Sequence, residues 1–253
     1  MHSTPVRHEP LKKTLDSFWS KELAFSVRDL RKGQVKIISV DHQIDVPPRW
    51  PLLAMKVYGG CVVTVESGLV SEAEEAFQGR SAEELFTQEG IRIIQGLFNV
   101  SADRLAHWIH LYCDSGSFKP YRKHRARRLT PYGSDREICE EWTSKYPRAV
   151  GPYSYGYANP MSYGIVLDGE LASVAVVWRY DLPFWEIGVE TRPDCRGRGY
   201  AKSAVSLATE EVLAADKLAW YYLDVNPTNE ASLKVAKSVG YIEYSETLNH
   251  KLP

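Results

Sequence analysis

The chain has 253 residues, 44% hydrophobic and 25% charged, enough for one large domain or two small ones. Its net charge of −1 gives neither nucleic acid nor a membrane surface an electrostatic reason to bind the whole chain. No apolar run reaches the ~18 residues of a membrane span, and the four scattered cysteines (Cys61, Cys113, Cys139, Cys195) have neither zinc-site spacing nor a disulfide framework. The start, MHSTPVRHEPLKKTLDSFW, lacks the apolar core of a signal peptide, so a soluble cytoplasmic protein with reduced thiols is expected.

In chain order, residues 12–32 place Leu15, Phe18, Trp19 and Leu23 at helical spacing. VKIISVD (35–41) reads as a strand, and IDVPPRWP (44–51) as a loop, because proline lacks an N–H and restricts the residue before it. LLAMKVYGGCVVTVES (52–67) reads as two strands broken at Gly59-Gly60. Residues 71–111 read as largely helical. Within them HWIH sets His107 and His110 at i, i+3, a metal-pair spacing without a third ligand, so a structural role and no metal are expected. FKPYRKHRARR (118–128) holds six Lys or Arg plus His124. It reads as a solvated connector between two domains, with an anion-binding strip as the alternative. The domains are then 1–124, a divergent α/β domain, and 125–253.

The second half is α/β by pattern. RRLTP (127–131) reads as a strand and SDREICEEWTSKY (134–146) as a helix with acids in its first turn. MSYGIVLDGELASVAVVWRYD (161–181) is a hairpin turned at Asp168-Gly169. The strand FWEIGVET (184–191) follows. After a long helix come the strand WYYLDVN (220–226), the helix NEASLKVAKSVG (229–240) and the strand YIEYSETL (241–248). Strands before, between and after two helices make a mixed α/β domain. In GPYSYGYANPMSYG, Tyr153, Tyr155, Tyr157 and Tyr163 sit on a glycine- and proline-marked loop and read as an acceptor-pocket lining, or as packing between the domains.

DCRGRGYAK (194–202) joins a strand to a helix whose apolar face is Ala201, Ala204, Val205, Ala208, Val212 and Ala215. The first N–H groups of a helix lack internal partners and carry about half a positive charge. Gly197 and Gly199 would let a phosphate approach that backbone, and Arg196 and Arg198 add full charges, which describes a pyrophosphate cradle. The P-loop pattern is absent, and the Rossmann pattern fails at Lys202.

What remains, Arg196-x-x-Gly199-x-Ala201 between strand and helix, resembles the acyl-CoA pyrophosphate motif of the GNAT superfamily of acyltransferases. EIGVETRPDCRGRGYAKSAV (186–205) resembles the family's fourth strand, loop and third helix, and DVNPTNEASLKVAKSVGY (224–241) its fifth strand and fourth helix. The likeness covers about 125–253, with its sharp motifs in 186–241. Thr191, where many members have Val, is similar to the branches holding zwittermicin-type resistance and ribosomal-protein acetyltransferases.

The resemblance implies a GNAT fold with splayed central strands, and an N-terminal domain that could be a degenerate copy of it. It implies acetyl-CoA as co-substrate and no metal. Backbone groups near Val189, Glu190 and Thr191 would pair with the pantetheine arm, one N–H near Val189 serving as oxyanion donor. Arg196, Gly197, Arg198, Gly199, Tyr200 and Ala201 would hold the pyrophosphate. Asn229 and Ser232 would face the CoA arm, although Asn229 reads equally as a helix cap. The attacking amine needs a base. Glu186 is the first candidate, with Glu190 and Asp224 behind it. Many relatives protonate the leaving thiolate with a Tyr seven residues after this Asn, but here that residue is Ala236. Ser232, another Tyr or water would act instead. Tyr241 reads as core, and Cys195 as incidental. The expected activity is N-acetylation of a small-molecule amine. The alternatives are a protein amine as acceptor, or a non-catalytic acyl-CoA-binding module. The first domain would shape the acceptor pocket or form a homodimer. No nucleic acid or membrane partner is expected.

Overall fold

The computed structural model describes residues 9–40, 42, 44–46, 50–147, 150–153, 160–225 and 229–251. Helix α1 (Glu9–Glu22) precedes strands β1 (Val35–Ser39), β2 (Asp45–Val46), β3 (Trp50–Val57) and β4 (Gly60–Val65). Helices α2 (Val70–Phe77), α3 (Ala82–Leu85) and α4 (Gln88–Phe98) lead to β5 (Leu105–Cys113) and β6 (Arg127–Arg128). Next come α5 (Arg136–Lys145), β7 (Met161–Leu167), β8 (Glu170–Trp178) and β9 (Phe184–Thr191). Then follow α6 (Tyr200–Ala214), β10 (Leu218–Asp224), α7 (Glu230–Val239) and β11 (Ile242–His250). The fold is mixed α/β. Among the described residues no helix is long and apolar enough to cross a membrane.

The chain forms two units. One takes the described residues of 12–110, 222–228 and 243–253. Its strands are ordered β1-β4-β3-β11-β5, with β2 on β3. β1 runs parallel to β4, while β3 is antiparallel to both β4 and β11. Tyr58 (φ 55°) and Gly59 (φ 77°) make the β3–β4 turn, the left-handed pair that a two-residue hairpin needs. Leu53, Val63, Phe77, Leu85, Ile94 and Leu248 form its core.

Two sequence expectations are corrected in this unit. IDVPPRWP is not all loop, since Asp45–Val46 pairs with Trp50–Pro51. Pro51, second in its strand, is tolerated there because proline is excluded only from the middle of a ladder. Residues 105–113 are a strand, not a helix. Ala106, Trp108 and His110 are buried while the residues between them are half-buried, a period of two. His107 and His110, three apart, therefore point to opposite faces. His107 Nε2 meets Glu246 Oε1 at 2.6 Å, and His110 Nε2 meets Thr247 Oγ1 at 2.8 Å. Burial pushes the His110 pKa down to about 3, so it stays neutral.

The other unit takes the described residues of 1–11, 111–221 and 229–242. FKPYRKHRARR thus lies inside it, whereas the sequence reading set the border at 124/125. The strand order is β10-β9-β8-β7-β6, with β10 and β9 parallel and the rest antiparallel. The β7–β8 turn uses Asp168 (φ 50°) and Gly169 (φ 85°). Helix α6 covers β7, β8 and β9 with Ala204, Val205, Ala208 and Val212, whereas Ala215, expected on the same face, is exposed. Cys139 and Trp142 of α5 pack with Val174 and Val176 of β8. The β9–β10 ladder ends at Glu186↔Trp220, although β9 runs on to Thr191.

Candidate active site

The loop after β9 is anchored before it opens. Arg192 N–H bonds to Ala172 O at 3.0 Å, and its guanidinium grips Glu170 and Asp194. A single 3-10 turn, Pro193–Cys195, then redirects the chain. Cys195 is buried with Ile165 and Ala172, which makes it a packing residue. Gly197 (φ 77°) and Gly199 (φ 91°) both take left-handed backbone, which a side chain disfavours. Helix α6, 15 residues long, starts from Gly199 with no side-chain cap. Its first N–H groups are thus left for something else.

A groove of about 560 Å³ opens over this helix end. Every residue expected to contact the co-substrate lines it: Val189, Glu190 and Thr191, Arg196 to Ala201, Asn229 and Ser232. So do Tyr121 and Lys123, from the strip whose alternative reading was anion binding, and Lys202 and Lys234, to which the sequence reading gave no role.

The strip 118–128 is solvated along its charged side chains, as expected, but it lies within one unit instead of connecting two. Tyr121 N–H donates to Ser206 Oγ at 2.8 Å, and His124 N–H to Ser203 Oγ at 3.2 Å. Three residues forward in the strip match three residues back along α6. His124 Nε2 lies 2.8 Å from the Arg198 carbonyl, which can only accept, so this nitrogen carries the proton. The His124 ring packs edge-on against Tyr200 at 4.5 Å. The strip thus props the glycine loop from behind. Its positive charge pointed to the anion reading. The serine partners, some 80 residues away, left no local signal.

The edge of β9 follows from its ladder. Because Arg192 and Ala172 exchange a hydrogen bond, alternation puts Glu190 and Gly188 in bonded pairs with Val174 and Val176. The N–H and C=O groups of Val189 and Thr191 then point to the opposite edge, past the end of the β10 ladder. Thr191 N–H is taken by Glu190 Oε1 at 3.0 Å, and Thr191 O by Arg196 Nε at 3.2 Å. Val189, two residues earlier, presents its backbone at the same edge and lines the groove.

The three candidate carboxylates have different partners. Glu186 is 4% exposed and accepts from Tyr180 O–H at 2.9 Å. It shares a face with Gly188, where a Cβ would lie 2.6 Å from the Trp178 ring, and it does not line the groove. Glu190 lines the groove and pairs with Arg196 at 3.1 Å. Asp224, in the first unit, accepts from Trp108 Nε1 at 3.0 Å. On α7, Asn229 caps the helix through Ser232 N–H at 3.0 Å, and Ser232 Oγ lies 2.5 Å from the Tyr221 hydroxyl. Ala236 is fully buried, and Tyr241 is core, bonded to Thr209 at 2.8 Å.

Of the expected tyrosine pocket, Tyr163 is fully buried and Tyr153 donates to Pro131 O at 2.7 Å. Neither lines the groove. Tyr155 and Tyr157 lie outside the described residues. Among the described residues no three His, Cys, Asp or Glu side chains cluster as metal ligands.

The acetyltransferase (GNAT) domain family matches residues 104–242, more than half of the chain. No curated protein matches the sequence at a significant level. Among solved structures, a protein assigned to the GNAT acetyltransferases from Novosphingobium aromaticivorans is 20% identical, with a TM-score of 0.47. The match covers 59% of this chain and 66% of that one. A GCN5-related N-acetyltransferase from Kribbella flavida is 14% identical over 98% of both chains, with a TM-score of 0.47. A GCN5-related N-acetyltransferase-like protein from Streptococcus suis is 18% identical with a TM-score of 0.44, covering 65% of this chain and 69% of its own.

Proposed function

The chain belongs to the GNAT acetyltransferase family, and from that premise we propose that it moves an acetyl group from acetyl-CoA to a primary amine of a small molecule. The observation that carries this reading is the meeting, in one groove, of an uncapped helix end and a strand edge free of its neighbour. The residues suit the co-substrate. At Gly197 a Cβ would meet nothing within 4 Å, so the approach is open. Arg196, Arg198, Lys123, Lys202 and Lys234 supply positive charge around it.

Bound acetyl-CoA would supply an electrophilic thioester carbonyl. The Gly197–Ala201 backbone would hold the pyrophosphate by N–H donation at the helix end. Val189 N–H would donate to the carbonyl oxygen, where negative charge develops. Among the carboxylates we assign the base to Glu186, oriented by Tyr180; it stands outside the groove, so the proton of the amine would reach it through water. The four cysteines, all free and buried, suit the reducing cytoplasm expected for this chemistry.

The experiment is a calorimetric titration with acetyl-CoA, followed by thiol release with a panel of amines. Binding is expected, and release with at least one amine. Failure to bind CoA and every acyl-CoA would end the donor assignment. Buried Ala236, which has no proton to give, favours a second reading as a CoA-binding module. Binding without thiol release from any small or peptidyl amine is its signature. Glu186→Gln should slow release by at least 100-fold, the scale of general-base catalysis, while CoA still binds. An unchanged rate would move the base elsewhere.

A further inference from the structure

We propose that Tyr221 is a positioning residue for the departing thiol: it donates its hydrogen to Ser232 Oγ and so directs the Ser232 O–H into the groove. The inference rests on the acyl-transfer reading above.

The two hydroxyl oxygens lie 2.5 Å apart, and either group could donate. The chemistry decides between them. A phenol is the stronger acid, hence the better donor and the poorer acceptor. Burial pushes the Tyr221 pKa up to about 12, which keeps its proton in place. Among the described residues Ser232 is the only hydrogen-bond partner of this hydroxyl. Were Ser232 to donate instead, the phenolic hydrogen would be left buried without an acceptor, which folded proteins avoid.

With Tyr221 donating, the Ser232 oxygen is occupied from behind. Its own hydrogen must turn elsewhere, and Ser232 lines the groove. Both partners are held. Tyr221 is 2% exposed and packs edge-on against Tyr241 at 5.5 Å, which Thr209 fixes in turn. Ser232 is the third residue of α7, with its N–H on Asn229. That end of α7 also favours negative charge.

The step balances without a proton leaving the tyrosine. The amine nitrogen forms the new bond to carbon and gives its proton to the base. The C–S bond breaks with its electron pair on sulfur. Ser232 lends that sulfur a hydrogen bond, and solvent protonates the thiolate after release. Ala236 offers no such donor from the same helix.

The test is the single-turnover rate of thiol release, using the best amine from the panel. Tyr221→Phe keeps the ring and removes the hydroxyl. Release should slow about tenfold, with CoA affinity by calorimetry unchanged. Ser232→Ala should slow it at least as much, and adding Tyr221→Phe to Ser232→Ala should cost nothing further. A wild-type rate in Tyr221→Phe, or an equal loss in both backgrounds, overturns the proposal. A weakened CoA affinity in Tyr221→Phe would assign the hydroxyl to shaping the groove instead. No release from the wild-type protein would overturn the transfer reading itself, and this proposal with it.

Discussion

Two helices begin at the same groove, and they begin differently. Helix α6 starts from Gly199 with no side-chain hydrogen bond capping it, between Arg196, Arg198 and Lys202. Helix α7 starts from Asn229, whose own Oδ1 takes the Ser232 N–H. Both ends carry the same partial charge. A helix end becomes an anion site only where its donors stay unclaimed and its approach stays clear. In α7 the donor is claimed, and what remains for chemistry is a hydroxyl. On the proposed reading the phosphates would take α6, and the reacting end would lie on the α7 side.

Three substitutions sharpen or break that contrast. The largest effect is expected of Gly197→Glu. Its Cβ meets no neighbour, although the left-handed backbone strains any side chain, and its carboxylate would face the phosphates, so CoA affinity should fall on the order of 100-fold (about 3 kcal/mol). Gly199 is the worse choice, since a Cβ there would lie 2.8 Å from the Tyr121 hydroxyl and confound folding with binding. Calorimetry with CoA decides, with circular dichroism to check the fold; undiminished affinity would remove α6 from the site.

Asn229→Ala comes next, and it should act on stability. Loss of the cap costs about 1 kcal/mol in urea unfolding, with CoA affinity held within about twofold. If the affinity drops as far as in Gly197→Glu, the two helix ends do not differ in kind. The smallest effect is expected of Glu190→Gln, which releases Arg196, itself 63% exposed, from a pair at 3.1 Å. Exposed pairs are weak, so CoA should bind only about threefold tighter. Weaker binding would mean that Glu190 holds Arg196 in its working position.

The open helix end was legible in the sequence because it is local. Glycines, arginines and an apolar face at 3.6 spacing occupy consecutive residues, and so do Asp168-Gly169 and the strands around them. What went unread depends on distant partners. LAHWIHLYC satisfies a helical spacing as well as an alternating one. It is a strand because neighbours such as β11, more than 100 residues on, complete its sheet. FKPYRKHRARR looked solvated because its side chains are charged, yet its backbone N–H groups are what bind Ser203 and Ser206. Glu186 and Glu190, four apart on one strand, share a face by alternation, but nothing local in the sequence says that Tyr180 holds the first and Arg196 the second.

The arrangement of β11 bears on how the protein is made. It lies between β3 and β5, pairing Glu246, Thr247 and Leu248 with Lys56, Met55 and Ala54. On a ribosome, β3 and β5 emerge early and wait through the synthesis of the whole second unit for the strand that joins them. Until then β3 offers an unpaired edge rich in Leu, Met and Val, the kind of edge that invites pairing with another chain. The sheet that holds β3 is therefore closed only after the other unit has been made, and its open edge is exposed to mispairing until then.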